Sequence, residues 1–344
     1  MYDKVIITHL PTFYKNNLYN KINEKQSIFV IYISLDTEET RSNDFTGLEN
    51  VEFNYVILNS KSLQRRSSIL STIRLLKLLT EIKYKEVILS GWDLLEFWFV
   101  RCFINHNKSL ALESTIYDSS HLGLRGSIKK LFLRGVFKVY ASGELHHDLL
   151  KVLDYKGIVK ITNGVGIINQ DQKIESRKNN KYSKDFLFIG RLTEVKNLER
   201  LIEAFNVLEN YKLKIIGTGE KSYELKLKSI SKNNVEFLGA IENKYLKQYF
   251  LETNFLILPS LSETWGLVVD EALFHNVPVI ISEKCGSVEL IENNVNGFHF
   301  EPEDTKQLVN ILKSIDCHMY NEILMNLSSD FILEKNKEQV NAYF

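Results

Sequence analysis

Short β-rich runs alternate with helical segments in this 344-residue chain, and the alternation starts twice. The first set extends from Val5–Thr8 to Ile158–Thr162, with its first helix predicted at Leu18–Asn23. The second set extends from Phe186–Ile189 to Val279–Ser282. Strands that alternate with helices predict βαβ units and parallel sheets. We therefore expect an α/β protein made of two Rossmann-like parallel-sheet domains.

The boundary between the two sets follows Asn163-Gly164-Val165-Gly166. The stretch Asn169–Lys184 is rich in Lys, Gln and Asn and lacks apolar periodicity, so we interpret it as a linker and surface loop. We assign residues 1–166 to an N-terminal domain and residues 167–327 to a C-terminal domain. Residues 328–344 form a polar tail with spaced apolar residues.

Composition excludes several classes of protein. The chain is 44% hydrophobic and 25% charged, as soluble globular proteins are, and its formal net charge is zero, so no global field attracts nucleic acid. Three scattered cysteines argue against a disulfide framework or a zinc site. Met1 leads directly into a strand, and Leu94–Ile104 is too short and too charged to span a bilayer. We expect a cytoplasmic protein.

The run from Pro259 to Leu273 carries two carboxylates, Glu263 and Glu271, eight positions apart. It follows an apolar strand and opens a helix, which is where α/β sheets bind ligands. A helix N-terminus suits a phosphate, and Gly266 allows close approach of the backbone. The carboxylates can accept hydrogen bonds from hydroxyl groups. The run therefore indicates a site for a sugar joined to a phosphate.

A second run, from Phe186 to Asn197, places Gly190, Arg191 and Lys196 after a buried strand. An arginine can bind two phosphate oxygens at once, and a lysine can act as a point charge. The alternative is that both are solvated loop cations, as most such residues are. Gly217 and Gly219 end another strand and allow close backbone approach, which we assign to nucleotide binding.

These two runs resemble the Glu-x7-Glu and Gly-Arg-Leu-x-x-x-Lys elements of family 4 retaining glycosyltransferases. Thr264 and Trp265 stand where the family usually has Gly and Phe. The resemblance is strong over residues 186–303 and implies the GT-B fold, with two Rossmann-like domains facing each other across a cleft. It also implies that the final helix packs back on the N-terminal domain.

The resemblance implies a role for each matching residue. Arg191 and Lys196 would hold the donor diphosphate, Glu263 would lie beside the donor sugar, and Glu271 would bind the ribose. The expected donor site is completed by Gly190, Gly217, Gly219, Thr264, Trp265, Gly266 and Leu267, the backbone amides of the last three facing the distal phosphate. The donor would be a nucleotide-diphosphate sugar, with a UDP-sugar favoured. We expect no cofactor and no metal.

The N-terminal domain departs from the commonest family pattern, because its loop after the first strand, Thr8–Asn17, has no glycine. Lys15 and Asn16 on this loop could reach the diphosphate or the acceptor, or could belong to a plain surface loop. Glu113, which ends another strand, could bind acceptor or sugar, or could pair with a cation beside a helix cap.

The resemblance implies transfer of one sugar to a glycan or lipid-linked acceptor in bacterial polysaccharide synthesis. The alternatives are a nucleotide-sugar epimerase or hydrolase of the same fold, and a non-catalytic sugar-nucleotide-binding protein. The segment Ser119–Gly143 is basic and free of acids, with apolar residues interleaved. It suits an anionic membrane surface, or an ordinary helix with a basic outer face. We expect no nucleic-acid partner.

Overall fold

The computed structural model describes residues 1–38, 45–169 and 181–344. The chain divides into two compact units: residues 1–169 together with 336–344, and residues 170–335. The segment that we interpret as a linker, Asn169–Lys184, lies mostly outside the described residues.

The first unit contains a seven-stranded parallel sheet. Its strands are β1 (Tyr2–Thr8), β2 (Ile28–Tyr32), β3 (Asn54–Ile57), β4 (Tyr84–Leu89), β5 (Asn107–Leu112), β6 (Lys138–Ala141) and β7 (Ile158–Ile161). They are ordered β3-β2-β1-β4-β5-β6-β7. The order reverses at β1, which is paired with β2 on one side and β4 on the other.

Helices cover both faces of this sheet. They are α1 (Phe13–Asn23), α2 (Ser68–Glu81), α3 (Leu95–Phe103), α4 (Gly123–Leu133) and α5 (Glu144–Val152). Val5 and Ile7 of β1 share a core with the inner faces of α2 to α5. Ile6 points to the other side, where the core includes α1 and the C-terminal Val340 and Tyr343. Side chains that alternate along a strand thus separate the two helix layers.

The second unit contains a six-stranded parallel sheet. Its strands are β8 (Asp185–Ile189), β9 (Lys212–Ile216), β10 (Val235–Gly239), β11 (Phe255–Leu258), β12 (Val279–Ser282) and β13 (Gly297–Phe300), in the order β10-β9-β8-β11-β12-β13. The helices are α6 (Leu198–Asn206), α7 (Lys221–Ile230), α8 (Leu246–Glu252), α9 (Leu267–Phe274), α10 (Thr305–Ser314) and α11 (Cys317–Asn326). The last helix, α12 (Ser329–Asn341), begins in the second unit and ends among the residues of the first. Every residue of β11 and β12 is buried, as expected for strands covered on both faces. Two parallel-sheet Rossmann-like units confirm the predicted fold class.

The first helix begins five residues earlier than the sequence predicts. The predicted loop Thr8–Asn17 is wrong from Phe13 onward, because Phe13–Asn17 belongs to α1. Thr12 has extended backbone angles, and its carbonyl accepts the first helical hydrogen bond from the Asn16 amide at 2.9 Å. Buried Lys15 and Asn16 in the first turns hide the amphipathic pattern that would have extended the predicted helix.

Three elements of the second unit have no counterpart in the sequence prediction: β13, α10 and α11. The two helices carry a readable signal at their N-termini. The Asp304 carboxylate accepts from the Gln307 amide, and the Asp316 carboxylate accepts from the Met319 amide, both at 2.9 Å. Such caps favour helix formation and could have located both helices.

Among the described residues, no helix has the length and apolar character that a membrane-spanning segment requires.

Candidate functional site

The two sequence runs that we assigned to donor binding emerge side by side in the second unit. Strand β8 precedes Gly190–Asn197, strand β11 precedes Pro259–Gly266, and the two strands pair in parallel. Their carboxyl ends therefore open on the same edge of the sheet, which is the edge where α/β proteins bind ligands.

Lys196 and Glu263 form an ion pair at this edge. The side chains are 14% and 16% exposed, so both charges are largely shielded from water. A charge that is shielded from water needs an opposite charge beside it, and Lys196 and Glu263 neutralise each other. The pair places one cation and one carboxylate together at the carboxyl-terminal edge of the sheet.

Backbone contacts hold the two loops in place. The Leu261 amide donates to the Val195 carbonyl at 2.8 Å. The buried side-chain amide of Asn197 donates to the backbone carbonyls of Pro259 and Pro302 at 3.1 and 2.7 Å. The position of Lys196 relative to Glu263 is thus fixed by hydrogen bonds between the two loops.

The segment 284–287 supports the loop that carries Glu263. The Glu263 amide donates to the Lys284 carbonyl at 3.2 Å, and the Gly286 amide donates to the Glu263 carbonyl at 2.9 Å. The Ser287 amide donates to the Trp265 carbonyl at 3.0 Å. These bonds give the segment a structural role. Burial raises the pKa of the neighbouring Cys285 thiol well above its usual range.

Gly266 forms the left-handed turn at the start of α9, with φ of 94°. A side chain is strained at this φ, and a Cβ atom there would also lie 2.7 Å from Cδ2 of Leu258, so the position favours glycine. The amides of Leu267 and Val268 precede the hydrogen-bond ladder of α9. The ladder begins with the Val269 amide, which donates to the Gly266 carbonyl at 2.9 Å. Within the described chain, the buried hydroxyls of Ser260, Ser262 and Ser287 have no hydrogen-bond partner. Donor groups around a helix N-terminus suit an anion.

The Trp265 side chain turns inward and is 1% exposed. Its indole N–H donates to the Asp270 carboxylate at 2.8 Å, and Asp270 also pairs with buried Lys335. The Lys335 ammonium lies 5.7 Å from the Trp265 ring centroid. The side chain at this motif position is thus structural, and a ligand could use only the Trp265 backbone.

The remaining predicted donor residues lie around the same edge. Arg191 is exposed directly after Gly190, Thr264 is exposed, and Glu271 is partly buried in the second turn of α9. The role of each stays a prediction.

Gly217 and Gly219 allow two backbone segments to approach each other. A Cβ atom on Gly217 would lie 1.8 Å from the Gly190 carbonyl oxygen, and one on Gly219 would lie 2.0 Å from the Leu192 carbonyl oxygen. The Gly190 amide donates to the Ile216 carbonyl at 3.0 Å. This close approach explains both glycines without a ligand, and nucleotide contact remains a prediction.

In the first unit, Lys15 and Glu113 are brought together, with Nζ 2.7 Å from Oε1. The Lys15 side chain is 9% exposed and that of Glu113 is 32% exposed. Burial opposes the charged lysine, but the adjacent Glu113 carboxylate outweighs it and raises the Lys15 pKa above its usual value. The cation-pairing alternative for Glu113 is therefore realised, while its partly exposed carboxylate remains within reach of solvent.

The Asn16 side chain anchors the backbone of Thr46 and Gly47. Its amide donates to the carbonyls of Thr46 and Gly47 at 2.8 and 3.2 Å, and its oxygen accepts from the Tyr32 hydroxyl at 2.6 Å. These bonds use both amide hydrogens, so a ligand contact from Asn16 would require one of them to break.

The sequence prediction missed a pair formed by His9 and Asp93. Nε2 of His9 lies 3.0 Å from both Asp93 carboxylate oxygens. Burial of Asp93 opposes its charge, but the hydrogen bond and charge of His9 lower the pKa of Asp93 below its usual value. The signal was a histidine directly after β1 and an aspartate shortly after β4, since these strands are neighbours.

No cluster of three or more His, Cys, Asp or Glu residues able to hold a metal occurs in residues 1–38, 45–169 and 181–344.

Residues 169–316 match the family model described as glycosyl transferases group 1. An uncharacterized 41.2 kDa protein in the cps region of Klebsiella pneumoniae is 30% identical over 173 residues, 48% of each chain. The O-antigen biosynthesis glycosyltransferase WbnH of Escherichia coli is 32% identical over 160 residues, 46% of each chain. The chain thus matches about half the length of these curated relatives.

The solved structure of HepE from Anabaena, in complex with UDP and glucose, superimposes with a TM-score of 0.74. The two chains are 15% identical, and the match covers 98% of each. This likeness shows that the fold is GT-B.

Proposed function

We propose, from the premise that residues 169–316 form a glycosyl transferases group 1 domain, that the protein is a retaining glycosyltransferase. It moves a sugar from a nucleotide-diphosphate sugar, with UDP as the favoured nucleotide, to a glycan or lipid-linked glycan in bacterial polysaccharide synthesis. The support for UDP is that HepE is described in complex with UDP and glucose. The support for the pathway is a relative in O-antigen biosynthesis.

The observation that carries the proposal is the ion pair of Lys196 and Glu263 beside the N-terminus of α9. The donor diphosphate gains negative charge as it leaves. Lys196, Arg191 and the amides after Gly266 would stabilise that charge where it develops. Such preorganised groups could act without a metal.

The proposed reaction breaks the bond from the anomeric carbon of the donor sugar to the diphosphate oxygen. A bond from the anomeric carbon to an acceptor hydroxyl oxygen forms on the same face. The hydroxyl proton passes to the departing diphosphate, so the products are the glycoside and the nucleoside diphosphate. Glu263 would position the donor sugar and Glu271 the ribose.

The first test is a thermal-shift panel of UDP, GDP, ADP, TDP and CMP with EDTA present. A nucleotide at about 100 times its Kd stabilises the folded state by about 2.7 kcal/mol. For a unit of this size we expect a rise in Tm of about 5 to 10 °C, for UDP alone. No shift with any nucleotide, in a folded sample, would contradict the donor site.

Transfer itself is tested with Arg191→Ala. We expect the variant to keep its Tm and to lose transfer by about 100-fold or more, since it lacks a group that stabilises developing charge. Arg200→Ala is the matched control, because Arg200 lies on α6 and donates to the Glu303 carbonyl at 3.2 Å. Unchanged transfer by Arg191→Ala would make the diphosphate assignment wrong. Sugar turnover without an acceptor would favour the epimerase or hydrolase alternative, and UDP binding without turnover the non-catalytic one.

A further inference from the structure

Large apolar side chains are exposed in two stripes on neighbouring helices of the first unit. Helix α3 exposes Leu95, Phe99 and Phe103, at 42%, 36% and 68%. Helix α4 exposes Leu124, Ile128 and Leu131, at 77%, 44% and 49%. Spacings of three and four residues place each set on one side of its helix. We call the outer surface of α2, α3 and α4 the three-helix face.

The three helices form one continuous layer. Their inner residues Leu75, Phe97 and Phe132 share a single core against the sheet, so their outer sides all point away from it. The Arg101 guanidinium of α3 donates to the Leu131 carbonyl of α4 at 2.6 Å, which joins these two helices. The apolar stripes therefore belong to one surface.

Helix α2 extends this surface with Ile69 and Ile73, which are 68% and 58% exposed. Single exposed apolar residues are common, but a group contributed by three adjacent helices is characteristic of an interaction surface.

The charged residues of α4 are all cations, and Asp93, the exposed acid just before α3, is paired with His9 at 3.0 Å. No acidic residue occurs between Ser119 and Gly143, and Arg125, Lys130 and Arg134 are exposed there. The acid of α3, Glu96, is buried and bonded by Arg66 at 2.8 Å. On α2 the exposed acid Glu81 is the last residue of the helix, at the opposite end from Ile69.

We propose that the three-helix face docks on an anionic lipid surface. The apolar stripes would enter the boundary between head groups and acyl chains, and the cations would lie at the level of the lipid phosphates. A second copy of this chain fits less well, because a two-fold contact between identical faces would bring the same cations together. The proposal goes beyond sugar transfer, and its test needs neither donor nor acceptor.

Co-sedimentation with vesicles tests the proposal on the full chain. We expect binding to vesicles of phosphatidylglycerol and phosphatidylcholine in a one-to-two ratio. Vesicles of phosphatidylcholine alone should bind at least tenfold more weakly, because the cations then lack partners. Equal binding to both vesicles, or binding to neither, would overturn the proposal.

Two variants test the two parts of the face. Arg125→Gln/Lys130→Gln should lower the partition coefficient about 25-fold, at about fivefold for each cation. Leu124→Ser/Ile128→Ser should lower it at least tenfold by removing apolar area. Tm and the UDP-induced shift should not change, since all four side chains point outward.

Matched controls change the same chemistry elsewhere. Lys306→Gln/Lys313→Gln removes two exposed cations of α10, and Leu225→Ser/Met325→Ser removes side chains that are 58% and 82% exposed. Both should bind vesicles like the parent chain. Equal loss in the controls would overturn the proposal. A concentration-dependent dimer that the Leu124→Ser/Ile128→Ser change abolishes would overturn it in favour of self-association.

Discussion

The Lys196 ammonium and the Glu263 carboxylate form an ion pair, although 67 positions separate the two residues in the sequence. The pair exists because β8 and β11 are neighbours and their following loops are tied by the bond from the Leu261 amide to the Val195 carbonyl. In this structure each charge neutralises the other. A diphosphate that arrives at this edge would compete with Glu263 for the lysine.

Replacing Lys196 by alanine should lower kcat by about 100- to 1,000-fold, since a cation that faces the leaving diphosphate is lost. It should also weaken the thermal shift caused by UDP. The control is Lys226→Ala, which removes an exposed lysine paired with Glu199 at 2.9 Å. Transfer assays measure kcat for both variants. A Lys196→Ala enzyme as active as the Lys226→Ala enzyme would contradict the role assigned to Lys196.

Glu263→Gln should separate donor binding from transfer. The neutral amide releases Lys196 to the diphosphate, so we expect UDP to bind at least as tightly as in the parent. Transfer should nevertheless fall, because the carboxylate no longer positions the donor sugar. Titration calorimetry with UDP and initial-rate kinetics measure the two effects, and parallel loss of both would show that Glu263 serves only to hold the loop.

Gly266→Ala should abolish UDP binding and lower the Tm. Alanine at a φ of 94° is strained, and its Cβ would lie 2.7 Å from Leu258 Cδ2, so we expect the turn that starts α9 and the Leu258 side chain to shift. Gly123→Ala is the control, with a φ of 61° and no atom within 4 Å of the added Cβ. In the control only the left-handed backbone conformation is strained, which should lower the free energy of unfolding by about 1 kcal/mol. The control should bind UDP normally. Normal UDP binding by Gly266→Ala would refute an anion site at this helix end.

The sequence was sufficient to locate the strands other than β13, because parallel strands buried on both faces appear as apolar runs. Phe255–Leu258 and Val279–Ser282 are observed with the predicted bounds. It was also sufficient to match residues 169–316 to a family, since the motif residues lie within short continuous runs.

Contacts between distant segments could not be read in the same way. The pairs Lys196–Glu263, Lys15–Glu113 and His9–Asp93 each depend on which strands are neighbours, and local patterns do not specify that order. The inward turn of Trp265 likewise depends on Asp270 and Lys335, which follow five and seventy positions later.

His275 should make the stability of the second unit depend on pH. Burial, with a smaller effect of the Lys247 charge, lowers its pKa from 6.5 to about 4. Between these values the unfolded chain takes up a proton that the folded chain excludes. The stability contributed by neutral His275 is therefore complete above about pH 6.5 and is lost as the pH falls toward 4.

The loss attributable to His275 between about pH 7.5 and about pH 5 is roughly 2 kcal/mol. Urea unfolding at both values, for the parent and for His275→Leu, measures it. The variant should lose less stability on acidification than the parent by that amount. His318→Asn, at a side chain that is 79% exposed, is the control and should behave like the parent. An unchanged pH dependence in His275→Leu would refute the assignment.

Glu113→Gln should destabilise the first unit by about 3 to 5 kcal/mol, because buried Lys15 is left without a charged partner. The double change Lys15→Met/Glu113→Leu removes both charges and should restore most of that stability. If Glu113 also binds the acceptor, the double variant will regain its stability but not its transfer activity. We expect parent-like urea unfolding and UDP binding in the double variant, with a KM for the acceptor at least tenfold higher. Transfer at the parent rate would show instead that Glu113 serves only to neutralise Lys15.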